Sequence, residues 1–344
     1  MGLPEIWFVL IGVLLAGYAV FDGFDLGVGV LYPFLGKTEE DKAVMRQVIG
    51  PVWDGNEVWL LTGGGALFAA FPAVYATVFS GFYIALMLLL FALILRAASL
   101  EFRHADPEWG KFWDISFFLG SAIPALLFGV AVGNIIRGLP LTAEGEFITG
   151  GGAPIFLGNL LTALNPYALV IGLVGLAWII WQGSTWLALK SVGDLQKRAA
   201  AVRAVMLYTF TVLFLVGGVA TALLAKDAWA RSMGIAGIVF VVLTLAGVAI
   251  SFMAASKGQD RFAFYGSSVS ALGLVGVWAA SIFPNLVPTL GPGEALTVVN
   301  SASSPLTLTT MLIIAVIGVP LVLFYFFLIY KTYKGRVDPK DLSY

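Results

Sequence analysis

Nine apolar runs, each long enough to cross a bilayer as a helix, divide the chain at about residues 6–32, 52–71, 74–97, 113–136, 157–187, 204–224, 232–255, 263–283 and 308–330. A helix needs roughly 20 such residues to cover a hydrocarbon core of about 30 Å. The runs therefore predict an all-α integral membrane protein with about nine transmembrane helices. The gaps are short and hold the breakers and charges, among them Pro72, Asp106-Pro107, Lys197-Arg198 and the stretch 284–305. None could fold as a soluble unit, so residues 1–344 read as a single polytopic membrane domain. Composition agrees, because 60% hydrophobic residues, 11% charged residues and a mean hydropathy of +0.95 exclude an ordinary water-soluble domain. No Lys or Arg precedes the first run and no small-residue cleavage site follows it, so that run is expected to stay in place.

The basic residues give an orientation. Loops 36–50, 96–112, 188–203 and 256–262 and the tail from Lys331 carry all of the 19 Lys and Arg except Arg137, Lys226 and Arg231. Positive loops stay in the cytoplasm. The N-terminus is therefore expected outside and the C-terminus in the cytoplasm, as an odd number of spans requires.

Against this background four carboxylates stand out. Asp22 and Asp25 lie inside the first run, and Asp54 and Glu57 open the second. An acid at membrane depth costs about 2.5 kcal/mol or more, so it usually faces other helices or water and marks an ion or proton path. At ~1.5 Å per residue, Asp22 and Asp25 lie roughly 22 and 27 Å from Trp7, in the cytoplasmic third of the first span. Asp54 and Glu57 enter from the cytoplasmic end, so all four acids are expected at similar depth. The i, i+3 spacing puts both members of each pair on one side of their helix. Burial and like charge together oppose ionisation of all four at once. Arg96, at the cytoplasmic end of the third span, is a candidate counter-ion, and Asp114 opens the fourth span at the same face. Two readings stay open here: the acids handle protons, or they pair with Arg96 and backbone donors to lock the first three helices together.

Other features narrow the chemistry. There is no cysteine, and the single histidine, His104, falls in the cytoplasmic loop Glu101-Phe-Arg-His-Ala-Asp106. Haem or copper within a membrane usually needs His or Met ligands at that depth, so the chain is expected to ligate no haem and no metal of its own. No basic tract suggests nucleic acid. Gly23, Gly27, Gly29 and the run Gly63-Gly-Gly65 suit close helix packing. Asn134, Asn165 and Gln182 are expected to bond across helices. The tryptophans, including Trp109, Trp113, Trp178, Trp181 and Trp186, fall towards span ends as an interfacial belt would. Trp53 and Trp59 flank the acids and are set apart from that belt.

Taken together, Phe21-Asp-Gly-Phe-Asp-Leu-Gly-Val-Gly29, Trp53-Asp-Gly-Asn-Glu-Val-Trp59, Gly64-Gly-Ala-Leu-Phe-Ala-Ala70 and Phe79-Ser-Gly-Phe-Tyr83 resemble subunit II of the cytochrome bd-type quinol oxidases. The likeness continues through Trp113-Asp114, Gly133-Asn134, Asn165-Pro166, Gln182-Gly183 and the last span, and so covers essentially the whole chain. The resemblance implies a non-haem subunit built as two four-helix bundles plus a peripheral helix. Its place would be a terminal oxidase of the bacterial cytoplasmic (inner) membrane that oxidises quinol, reduces O2 to water and builds a proton gradient without pumping. In that family the partner, subunit I, carries low-spin haem b, high-spin haem b and haem d. This chain alone is then not expected to be catalytic. Asp25 and Asp54 match the family's proposed proton-uptake acids, and Trp53 matches the tryptophan beside one of them. Glu57 stands where some members have Gln, and Asp22 shares the motif. Some relatives also hold a structural quinone in this subunit, which the sequence assigns to no residues, and small single-helix subunits are further candidate partners. The alternative from another class is a proton-coupled secondary transporter that uses its buried carboxylates.

Overall fold

The computed structural model describes residues 2–143, 147 and 160–341. In chain order the helices are α1 (Leu3–Leu35), α2 (Glu39–Gln47), α3 (Trp53–Ala70), α4 (Pro72–Gly81), α5 (Tyr83–Ala105), α6 (Gly110–Arg137), α7 (Pro166–Lys190), α8 (Gly193–Leu224), α9 (Lys226–Ser232), α10 (Ile235–Ser256), α11 (Asp260–Ile282) and α12 (Pro305–Thr332). Between α11 and α12, strands β1 (Asn285–Val287) and β2 (Leu296–Thr297) form a small antiparallel pair.

Local chemistry sets the boundaries. Pro166 and Pro305 sit in the first turns of α7 and α12, where a missing N–H costs nothing. Ahead of them Asn165 accepts from the Ala168 N–H and Ser304 from the Thr307 N–H. Thr38 and Asp41 cap α2 reciprocally, so the loop expected at 36–50 contains a helix. Gly138, at φ +100°, ends α6 in a conformation that a side chain would strain.

Eight helices are by length and apolarity able to cross a membrane among the described residues, and the pair α3–α4, bent by 119°, makes a ninth when counted as one. The break lies at Phe71 and Pro72, because proline cannot donate into the preceding turn and restricts the residue before it. The span expected at 74–97 thus covers most of α4 and of α5, and α5 runs on to Ala105. His104 accordingly lies in the last turn of α5 rather than in a loop, and is exposed. Residues 157–159 of the expected fifth span lie outside the described residues, and α7 begins at Pro166.

Helices α1, α3, α5 and α6 form one bundle and α7, α8, α10 and α11 the other, with α1 and α6 meeting α7 at the junction. Helix α12 packs on α1 and α3 and leaves Ile313, Leu321 and Phe324 exposed. Small residues allow the junction. A methyl on Gly27 would lie 2.2 Å from the Ile179 carbonyl oxygen and 2.8 Å from Gly183 Cα, so α1 and α7 touch backbone to backbone. In the second bundle a methyl on Gly247 would lie 2.4 Å from the Ser270 nitrogen.

Two packing expectations are corrected. Gly64 and Gly65 meet nothing within 4 Å, so only Gly63 of that run packs inside the chain. Trp178, Trp181 and Trp186 are buried rather than interfacial, because α7 stands at the junction of the two bundles and its second half, residues 177–190, is almost wholly buried. Trp178 donates to the Ser267 carbonyl and Trp186 to the Val48 carbonyl. Of the expected belt, Trp109 is exposed and Trp113 half-buried.

Candidate functional site

Three helices, α1, α3 and α5, converge on one guanidinium. Arg96, 1% exposed on α5, faces Asp22 and Asp25, both 0% exposed and one turn apart on α1. Its two terminal nitrogens donate to both oxygens of Asp22, Nη2 to Oδ1 at 2.7 Å and Nη1 to Oδ2 at 3.2 Å, in the side-by-side geometry a guanidinium favours. Nη1 also donates to Glu57 Oε1 of α3 at 2.6 Å, and Nη2 lies 3.9 Å from Asp25 Oδ2.

Asp25 is held mainly by a residue that sequence reasoning passed over. Asn56, fully buried on α3, donates from Nδ2 to Asp25 Oδ2 at 2.7 Å and accepts from the Tyr330 hydroxyl of α12 at 2.9 Å. Asn56 stood inside the quoted Trp53–Trp59 motif, and its place between two acids was the available signal. Tyr330 carried none, being 274 positions away. It also lines a cavity of about 220 Å³ with Gln47, Trp186, Lys190 and Arg336. Asp25 Oδ1 and Arg96 Nε are buried without a partner. Around these groups Phe21 stacks on the buried Trp59 at 5.5 Å, and Phe326 meets both rings.

The acids are therefore brought together in part. Asp22, Asp25 and Glu57 share Arg96, whereas Asp54, in the first turn of α3, is exposed on the surface beside the half-buried Trp53. Glu57, with its side chain 21% exposed, is the member of the trio nearest solvent or a neighbour. Asp114 belongs to another cluster, at the end where α2 lies. It accepts from Arg103 Nε at 2.7 Å, Lys42 Nζ at 2.7 Å and the Tyr32 hydroxyl at 3.0 Å. Arg46 donates to that same hydroxyl. Glu39 of α2 pairs with Lys42 at 3.1 Å and Arg103 at 2.6 Å. The amides bond across helices as expected: Gln182 donates to the Val20 carbonyl and Ser268, and Asn165 to Asn134. Among the described residues no set of three or more His, Asp or Glu is arranged to hold a metal ion.

Chemically, three carboxylates confront one guanidinium in a site that is fully buried at Asp22, Asp25 and Arg96 and partly open only at Glu57. Fully ionised, the group would carry a net charge of two negative units, three minus one. An uncompensated charge so placed is expensive, and protons on the carboxyl groups relieve it.

Comparisons with known proteins agree with this architecture. The family model for cytochrome bd terminal oxidase subunit II matches residues 3–333. The chain is 39% identical to the probable cytochrome oxidase subunit 2 of Haemophilus influenzae, over 97% of this chain and 94% of that protein. It is 35% identical to the cytochrome bd-I ubiquinol oxidase subunit 2 of Escherichia coli, covering 98% and 96%. It is 33% identical to the cytochrome bd ubiquinol oxidase subunit 2 of Bacillus subtilis, covering 98% of each. The fold is similar to a chain of the bd oxidase from Geobacillus thermodenitrificans, with a TM-score of 0.76 over 97% and 99% of the two chains at 14% identity.

Proposed function

Because this chain belongs to the cytochrome bd terminal oxidase subunit II family, we propose that it is the proton-supplying, non-haem half of a quinol:O2 oxidoreductase in the bacterial cytoplasmic membrane. Family membership makes it a subunit of an oxidoreductase complex, implies a subunit I partner and disfavours the secondary-transporter alternative, and its apolar helices suit a multi-pass protein. The proposed orientation has the N-terminus outside and the α2 end in the cytoplasm. Quinol would be oxidised towards the outside and O2 reduced to water with cytoplasmic protons, so that a gradient forms without pumping. The haems b and d of subunit I would supply the electron transfer and O2 chemistry.

The observation that carries this reading is the acid excess at Arg96. A site built only to lock helices would match its charges, whereas Asp22, Asp25 and Glu57 outnumber their cation and can hold or release protons. Arg96 holds Asp22 in a bidentate grip, which suits an anchor that stays charged. Asp25 has one oxygen on Asn56 and the other without a partner, which suits a group that accepts a proton. Glu57 bridges Arg96 to the surface where Asp54 and Trp53 stand, and Asp54 serves as the exchange point with water or subunit I. The exposed Leu61 and Gly65 and the half-buried Gly64 on α3 fit a surface that subunit I would cover.

Asp25→Asn and Asp54→Asn in the assembled oxidase test the reading, because each keeps shape while removing the carrier. Quinol-driven O2 consumption should fall by about 10²-fold or more, as for loss of a positioned acid–base group, with haem content and optical spectrum unchanged. Full activity in both variants would reject the relay. Joint loss of haem and activity would assign the acids to scaffolding.

A further inference from the structure

Three basic residues lie outside the α2 end of the molecule, and all three line one cavity. Arg137 ends α6, Lys226 and Arg231 lie on α9, and together they border a hollow of about 530 Å³ that the β1–β2 segment closes from the far side. A membrane protein that places nearly all its cations at one end and gathers the remaining three at a single spot on the other has a local electrostatic reason for doing so.

Among the described residues the charge there is not balanced by ion pairs. Asp227 is the one carboxylate among the lining residues, which leaves a net charge of two positive units, three minus one. Among the described residues Arg137, Lys226 and Arg231 take part in none of the ion pairs. Arg231, which lines the hollow, is held by donating from Nε to the Ser281 carbonyl at 2.7 Å. Part of the wall is apolar and exposed. Leu223, Leu224 and Leu290 are 66%, 59% and 57% exposed and belong to the same lining. Cations next to exposed leucines at a helix end match a ligand with an anionic oxygen cluster and a hydrocarbon tail.

We propose that this cavity binds the phosphate of an anionic phospholipid from the leaflet at this end, with its acyl chains along Leu223 and Leu224. A free phosphate shares the head-group chemistry, but the leucines would add nothing to its binding.

The test uses the whole oxidase, delipidated in detergent and offered equimolar phosphatidylglycerol and phosphatidylcholine, with bound lipid counted by native mass spectrometry. Phosphatidylglycerol should be retained preferentially. The exposed pair Arg137→Gln/Lys226→Gln should lower that retention by about 25-fold, roughly fivefold for each surface cation removed, and leave phosphatidylcholine unaffected. Arg137→Lys/Lys226→Arg, which keeps the charge, should bind as the parent does and controls for misfolding. Equal retention of the two lipids, or an unchanged preference in the Gln pair, overturns the proposal. Displacement of phosphatidylglycerol by excess inorganic phosphate would reassign the hollow to a free oxyanion and likewise overturn the lipid.

Discussion

Two ionic clusters in this subunit have nearly the same bond lengths and opposite character. Arg96 reaches Asp22 at 2.7 Å and Glu57 at 2.6 Å, while Arg103 reaches Asp114 at 2.7 Å and Glu39 at 2.6 Å. The second cluster is balanced, with Asp114 and Glu39 facing Arg103 and Lys42, and its members are partly open to solvent. The first is buried and has more acids than cations. Distance alone would rank them as equals. Charge balance and access to water separate a clamp that joins α2, α5 and α6 from a site with the charge excess on which the proposed proton uptake rests.

The sharpest way to break that comparison is to remove each cluster's arginine. Arg96→Gln leaves three carboxylates facing one another in the membrane, and loss of one partner of a buried pair costs about 3–5 kcal/mol. A large fall in Tm with loss of assembled haem is expected. Adding Asp22→Asn should restore part of the Tm by removing the stranded charge, a coupling that a double-mutant cycle measures. Equal losses from Arg96→Gln and Arg103→Gln would erase the distinction.

Much of the first cluster was legible in the sequence because acids and an arginine in apolar runs have few places to go. Asp22, Asp25, Glu57 and Arg96 are each anomalous in their own segment, and helix period fixes which pairs share a face. What was not legible depended on tertiary placement. Hydropathy does not distinguish lipid from protein as a neighbour, so the tryptophans of α7 looked interfacial although they fill the junction of two bundles. Asp114 carried the same burial signal as the other acids, but its partner Lys42 arrives on a capped helix inside an apparent loop. Pro72 announced a break, but the size of the bend, 119°, has no local sequence signal. Tyr330 joins Asn56 across almost the whole chain, beyond the reach of any local pattern.

A milder substitution sharpens the contrast from the other side. Asp114→Asn keeps hydrogen bonding to Tyr32 while discarding one charge from a balanced, partly exposed group. Such pairs are typically worth about 0.2–1 kcal/mol each, so a Tm shift of a few degrees is expected, with O2 consumption close to the parent's. A loss of turnover like that of Asp25→Asn, at intact haem content, would place Asp114 on the proton path and dissolve the division between the clusters.

The smallest effect concerns pH. Partial burial raises the Glu39 carboxyl, but its hydrogen bonds to Lys42 and Arg103 outweigh that and hold it below its ordinary value of 4.5. A carboxyl depressed in the folded state contributes stability above its ordinary value, and that contribution is lost as pH falls through the folded value. Lys42 is the mirror case: burial lowers its ammonium, the bonds to Asp114 and Glu39 more than compensate, and its contribution persists until pH rises beyond the ordinary 10.5. Between those limits the α2 clamp should be insensitive to pH. Below about pH 4.5 the docking of α2 should weaken, read as faster proteolysis at residues 36–50. Glu39→Gln should flatten that dependence at a cost within about 0.5 kcal/mol, and high salt should reduce it further. A dependence that survives Glu39→Gln unchanged would move the acid sensitivity to Asp114 and leave Glu39 a surface residue with no part in the clamp.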